Sequence, residues 1–234
     1  MKFESITFTT YGYREYTENL LASSRANNTN LKLNIFTLDD ESTNYFKKIH
    51  NNVTKLNQKK EFNSLVDFKS DEFGELMTKK FECIHQSLIK NDYILYIDGD
   101  ITIKQDFVQT ILNYAVNENV DFIFQNDKNP KKPLQRNVCA GFMLIKSTKK
   151  TIDFFEAEEK KINKIKNYRT SDQTYINKNL NKFKYKILPL DKFSNGPYFY
   201  ENYGNYNPWM VHFNFVLGEE KKEIMQKYNE WYIN

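Results

Sequence analysis

Cysteine is almost missing from this chain: in 234 residues only Cys83 and Cys139 occur, both in apolar surroundings and without C-x-x-C spacing. That argues against a disulfide framework or a zinc site, and two buried free thiols are expected. Long hydrophobic runs are also lacking. No stretch approaches the roughly 18 apolar residues that a membrane-crossing helix needs, and Met1 leads straight into the strand-like Ile6-Thr7-Phe8-Thr9 with no charged-then-apolar leader. No transmembrane segment is expected, the protein is expected to be soluble and cytoplasmic, and triplets such as Asn27-Asn28-Thr29 are not read as glycosylation sites. Charge of one sign is scarce too: 34 Lys+Arg face 30 Asp+Glu, scattered along the chain, for a net +4. Such a slight excess makes no nucleic-acid footprint, so no nucleic-acid partner is expected. Repeats, low-complexity tracts and interdomain linkers are absent as well, so residues 1–234 are expected to form a single domain, long enough to enclose a full core.

What the chain does have is aromatic residues, 16 Tyr and 19 Phe among them, far more than a disordered chain carries. The low mean hydropathy therefore reflects Lys and Asn on the surface. Ser5 to Thr10 reads as a strand, Thr17 to Ser24 as an amphipathic helix, and Leu31 to Leu38 as a second strand ending at Asp39-Asp40-Glu41. Asn44 to Lys60 reads as a helix and polar connection. Glu75 to Ile89 carries a helical stripe of Leu76, Phe81, Ile84 and Leu88. It leads into Tyr93-Ile94-Leu95-Tyr96-Ile97, a continuous apolar run of the kind found in buried parallel strands. Then come a helix over Phe107 to Val116, a strand over Val120 to Gln125, a polar loop with Asn129-Pro130 and Pro133, a strand over Ala140 to Ile145, and a helix over Ile152 to Ile165. Beyond Pro189 the pattern is irregular and aromatic until Val211-His212-Phe213 and a last helix from Glu219 to about Trp231. Alternating strands and helices predict an α/β fold: a mainly parallel, twisted, Rossmann-like sheet covered on both faces.

The sharpest chemical signal is Asp98-Gly99-Asp100, where the strongest strand stops. Two carboxylates two residues apart project to the same side, and glycine between them allows close approach. Hard oxygen ligands suit Mg²⁺ or Mn²⁺, and the carboxyl ends of strands are where α/β sheets bind nucleotides. An acidic turn is the plain alternative, although turn chemistry does not require the second acid.

With these residues in view, the chain resembles the nucleotide-diphospho-sugar transferases, close to glycosyltransferase family 77 and more distantly family 8, with the GT-A fold. Besides Tyr93 to Asp100, the matching segments in order are Lys80-Phe81-Glu82, Phe124-Gln125-Asn126-Asp127, Ala140-Gly141-Phe142-Met143, Ser171-Asp172-Gln173 and His212 to Lys221. The resemblance implies a nucleotide-binding half over 1–127 and a half for the sugar and acceptor over 128–234. It implies a nucleotide-sugar donor, UDP-linked, a glycan or other hydroxyl acceptor, and a Mn²⁺ or Mg²⁺ held by Asp98, Asp100 and His212. Taken alone, His212 would read as a structural histidine. Gly99 would sit against the ligand, and Gly218 and Lys221 at the diphosphate, helped by the amides that open the last helix. Asp172, Gln173 and Lys80 would be the catalytic residues facing the sugar, although Asp172 also suits a helix start and Lys80 a solvated helix face. Thr9, Thr10 and Tyr11 would hold base and ribose, with Tyr13 or Tyr16 as other stacking rings. Where family 8 has Asn-Ala-Gly, this chain has Cys139-Ala140-Gly141.

The implied reaction is transfer of the sugar with its anomeric configuration retained. No protein nucleophile stands out, so positioning and electrostatics would carry it. The aromatic stretch from Phe193 to Trp209 would form the acceptor side, with about half of its rings serving as core. A metal-dependent nucleotidyltransferase is a weaker alternative, since Thr9 to Arg14 holds one glycine and one arginine rather than a Gly-rich basic loop. A non-catalytic sugar- or nucleotide-binding protein would not need both the paired acids and the terminal His-Gly-Lys block.

Overall fold

Tyr93–Ile97 lies at the centre of the fold because both of its faces are covered. This strand, β4, buries all five residues; Tyr93, Leu95 and Ile97 enter one core cluster, Ile94 and Tyr96 the other. That two-sided burial explains why the run is apolar without alternation. The computed structural model describes residues 1–29, 31–57, 66, 71–128, 137–156, 163 and 171–233. Along them run β1 (Phe3–Thr9), β2 (Leu33–Thr37), β3 (Val53–Lys55), β4, β5 (Ile101–Ile103), β6 (Phe122–Asn126), β7 (Val138–Lys146), β8 (Tyr185–Ile187), β9 (Phe193–Asn195) and β10 (Met210–His212).

Seven strands form one twisted sheet in the order β3-β2-β1-β4-β7-β6-β8. The pairs β1/β2, β2/β3, β1/β4 and β6/β8 are parallel, while β7 runs antiparallel to both of its neighbours. The α/β architecture expected from the sequence is thus present, a mostly parallel sheet flanked by helices. On one face the helix Asp71–Leu88 packs Leu76, Phe81, Ile84 and Leu88 against Ile94 and Tyr96. On the other, Leu20 and Leu21 of the helix Arg14–Ala26 and Ile111 and Leu112 of the helix Val108–Glu118 meet Leu95 and Ile97. Burying about 1.5–3 kcal/mol worth of apolar side chain at each such position makes this two-faced core the main stabilising term. Cys83 and Cys139 are free and buried, as anticipated. No helix among the described residues is long and apolar enough to cross a membrane.

Several elements differ from the sequence expectation. Within the span read as helix and polar connection, the helix stops at Ile49 and Val53-Thr54-Lys55 forms β3 beside β2. The helix expected over Ile152 to Ile165 starts earlier: it runs over Lys149–Phe155, opened by a reciprocal Thr148 and Thr151 cap, and most of the remaining span lies outside the described residues, as does the loop of Asn129, Pro130 and Pro133. The stretch after Pro189 is more regular than expected, with β9 and the helix Gly196–Glu201. The most consequential difference is a second, three-stranded sheet in the order β5-β10-β9. Ile101-Thr102-Ile103 follows the acidic pair directly and pairs antiparallel with β10, setting His212 opposite Ile101.

Candidate active site

That register is what gathers the site. Asp98 and Asp100 leave the carboxyl end of β4, and β10 returns from the far end of the chain to put His212 beside them. The Phe213 amide donates to the Asp100 carbonyl at 3.0 Å, tightening the corner. One ligand atom from each of Asp98, Asp100 and His212 lies within 4.8 Å of the other two. Nε2 of His212 is 3.1 Å from Oδ1 of Asp100 and 4.0 Å from Oδ2 of Asp98. Two carboxylates and one imidazole nitrogen converging in this way form a donor set suited to a hard or borderline divalent cation.

Around these three, the charges are matched. The Lys221 ammonium pairs with Oδ2 of Asp100. Lys80 is buried, and its Nζ donates to Oδ2 of Asp172 at 2.8 Å and to Oδ1 of Asp98 at 3.3 Å, while lying 4.4 Å from the centre of the Tyr96 ring. Tyr96 donates its hydroxyl to Oδ1 of Asp98 at 2.6 Å. Burial alone would lower the Lys80 pKa, but Asp172 and then Asp98 outweigh it and hold the amine above its ordinary value, so it stays charged. Burial likewise pushes the Asp100 carboxyl upward, yet Lys221 and His212 bring it well below the carboxylate range. For His212, burial works against the charged ring and Asp100 more than compensates, leaving the pKa well above 6.5 in the ion-free protein. The Tyr96 phenol is driven well above 10 by burial and by Asp98, so it remains a donor.

The sugar-side residues named from the sequence join the same network. Asp172 stands in the first turn of the helix Ser171–Asn179, so the site position and the helix-start position coincide. Its neighbour Gln173 accepts from the Ala140 amide at 3.1 Å and donates to Oδ2 of Asp127 at 2.8 Å. The other oxygen of Asp127 accepts from Nδ2 of Asn214 at 3.1 Å. Burial raises the Asp127 carboxyl to about 6, against the lowering effects of Gln173 and His212. A cleft of about 320 Å³ lined by Asn137, Gln173, Thr174, Asn177 and Lys178 adjoins Gln173; none of the three metal-type ligands lines it.

At the end of β1, Thr9 accepts from the Thr17 hydroxyl at 3.0 Å, and the buried Thr10 hydroxyl has no partner among the described residues. The Tyr11 amide donates to Asp39 at 3.0 Å, and the Arg14 guanidinium covers one face of the Tyr11 ring at 4.2 Å. Asp39 also caps the helix Asp40–Ile49 by accepting from the Ser42 amide at 2.6 Å, a structural role. Gly99 has Thr17 against it: a Cβ there would lie 2.6 Å from the Thr17 hydroxyl, so its closest neighbour is the first helix. Gly218 takes φ +60° before the helix Glu219–Lys227, a conformation that favours glycine, and its carbonyl accepts from the Tyr16 hydroxyl at 3.0 Å. Of the aromatic stretch, Phe193 and Phe199 are buried core, whereas Tyr203 is 46% exposed.

Sequence reasoning did not single out Tyr96, Gln125, Asp127, Gly141 or Asn214 as site residues. Gly141 is the tightest of them. A Cβ there would lie 2.4 Å from both Oδ2 of Asp98 and Cε1 of His212. Its signal was the run of small residues Ala140-Gly141 in an otherwise bulky strand; for Asp127 it was an acid just past a strand end.

The sequence pattern of a family described as nucleotide-diphospho-sugar transferase matches residues 31–225. A Dictyostelium discoideum protein, UDP-galactose:fucoside alpha-3-galactosyltransferase, is 24% identical over 228 residues, covering 85% of this chain and 35% of that protein. The chain thus spans about a third of the length of this curated relative. Among solved structures, the galactosyltransferase LgtC bound to donor and acceptor sugar analogs superposes with a TM-score of 0.65 at 9% identity, covering 98% of this chain and 95% of that one. The glycosyltransferase GlyE of Streptococcus pneumoniae gives 0.60 at 16% identity, over 97% of this chain and 60% of that one. Mouse xyloside xylosyltransferase 1 gives 0.58 at 10% identity, over 92% and 98%. At such identities the likeness is one of fold.

Proposed function

This chain belongs to the nucleotide-diphospho-sugar transferase family, and from that premise we propose that it transfers a sugar from a UDP-linked donor to a hydroxyl acceptor on a glycan, with retention and with a divalent cation. The observation that carries the reading is the convergence of Asp98, Asp100 and His212 at the mouth of β4, among donors suited to Mn²⁺ or Mg²⁺. UDP as the nucleotide is supported by the UDP-galactose in the name of the Dictyostelium relative, and retention by the resemblance to families 77 and 8.

Asp98, Asp100 and Nε2 of His212 would hold the cation, whose chemistry is to neutralise negative charge developing on the departing diphosphate. Lys221 is positioned beside Asp100 to share that duty, and the amides opening the helix Glu219–Lys227 add further donors. Thr9, Thr10 and Tyr11, at and just past the carboxyl end of β1, bind base and ribose. Lys80 and Asp172 orient the sugar hydroxyls. Because Asp172 is committed to Lys80 and Gln173 is an uncharged amide held between Ala140 and Asp127, neither is a free nucleophile. The acceptor proton passes instead to the departing phosphate on the same face of the sugar, and catalysis consists of alignment and charge stabilisation.

Incubation with a panel of nucleotide sugars, with and without Mn²⁺, tests this. Slow release of UDP from a UDP-sugar, dependent on Mn²⁺ and lost in Asp100→Asn, is expected. Pyrophosphate release, or no turnover of any donor with a suitable acceptor present, would overturn it.

A further inference from the structure

We propose that Gln125 is a positioning residue that locks the His212 ring in the one tautomer able to offer Nε2 to a cation; this rests on the reading of Asp98, Asp100 and His212 as cation ligands. Gln125 and His212 are both buried. The β6/β7 register breaks between Phe124 and Gln125, so that Gln125 pairs with Cys139. Such irregularities re-aim side chains beside active sites. From there Nε2 of Gln125 donates to the Ser194 carbonyl at 2.8 Å and lies 3.4 Å from that of Phe193. Carbonyls only accept, so the amide nitrogen must face them and the amide oxygen must face the ring.

That oxygen is 2.8 Å from Nδ1 of His212. Since it too can only accept, Nδ1 carries the proton and donates. In the neutral ring, Nε2 is then left with its lone pair toward Asp98 and Asp100, which is the form that binds metal. The Cys139 thiol, 3.5 Å from Nδ1, is a weaker neighbour. Rigidity comes from the smaller sheet: β9, which supplies the two carbonyls, pairs with β10 in the register Ser194 to Val211 and Asn195 to His212. The amide and the ring it orients are therefore braced by the same pair of strands. Gln125 is not itself assigned any contact with the cation or substrate.

Three proteins decide the matter: wild type, Gln125→Met and Gln125→Glu. Free Mn²⁺ is followed by electron paramagnetic resonance, the His212 tautomer by ¹⁵N NMR of the ion-free protein at a pH where the ring is neutral, and folding by thermal melting. Met has similar length and no oxygen, so the Mn²⁺ dissociation constant should rise about 10- to 100-fold and the Nδ1–H signature should be lost. Glu keeps an acceptor toward Nδ1 while losing the donor to Ser194; it should melt lower yet hold Mn²⁺ within about threefold of wild type. A merely structural role would lower both melting curves and leave the tautomer alone. Wild-type Mn²⁺ affinity with an unchanged ring signature in Gln125→Met, or a Glu variant as impaired in binding as Met, overturns the inference while the cation reading stands. If wild type binds no Mn²⁺, or Asp100→Asn binds it equally well, the cation reading falls and this inference with it.

Discussion

Gly141 shows how little space the site leaves. The absent side chain makes room for Oδ2 of Asp98 and Cε1 of His212, each 2.4 Å from where a Cβ would stand, and the Gly141 carbonyl accepts from the Asp98 amide at 2.7 Å. Asp98 cannot easily swing aside, because Tyr96 and Lys80 grip its other oxygen. Gly141→Ala should therefore cost roughly 1–3 kcal/mol of stability through overpacking, but on the order of a hundredfold in turnover, since displacements near 1 Å at reacting groups have that effect. Melting curves and Mn²⁺-dependent UDP release on the same preparation check this; wild-type turnover would contradict it. At this scale, the sequence disclosed the groups that stand at strand ends or in motifs: Asp98, Asp100, Asp172 and, through its Gly218 and Lys221 followers, His212. It placed Gln125 in a matching segment but gave it no role, because that role depends on a strand irregularity and on carbonyls 68 and 69 residues away.

Short strands β5, β9 and β10 hold His212 beside the acidic pair. Each has three residues, too few to show alternation, and only their pairing makes them strands. The long elements, β4 and the helix Asp71–Leu88, were legible because burial imposes a sustained pattern on them. A buried carboxylate anchors the small sheet from behind. Glu230, 1% exposed, accepts from the Thr102 hydroxyl of β5 at 2.9 Å and from the Lys104 ammonium, and its carbonyl accepts from Asn19 at 2.9 Å. Glu230→Ala should cost about 2 kcal/mol, the scale of charge-assisted bonds; the partial exposure of Lys104 lets that amine rehydrate, so the loss falls short of that for a fully buried pair. Urea unfolding measures it, and a change under about 0.5 kcal/mol, the range of an ordinary surface substitution, would show that the tail is not anchored there.

Over the whole molecule, the order β3-β2-β1-β4-β7-β6-β8 sets β1 beside β4, and β5, just after the acidic pair, leads into the small sheet. Asp98, Asp100, Asp172, His212 and Lys221 thus meet, with Lys80 between Asp98 and Asp172, although the chain separates them widely. The α/β class was legible from alternating patterns because a sheet buried on both faces leaves that imprint; the second sheet was not, because pairing between distant three-residue segments leaves none. In the proposed reaction one divalent ion joins Asp98, Asp100 and His212 to a nucleoside diphosphate. Crystals grown with Mn²⁺ and UDP, measured at the manganese absorption edge, test it most directly. One anomalous peak bonded to Asp98, Asp100, Nε2 of His212 and the diphosphate is predicted; UDP bound with no peak between those residues, or a peak that leaves His212 out, would contradict it.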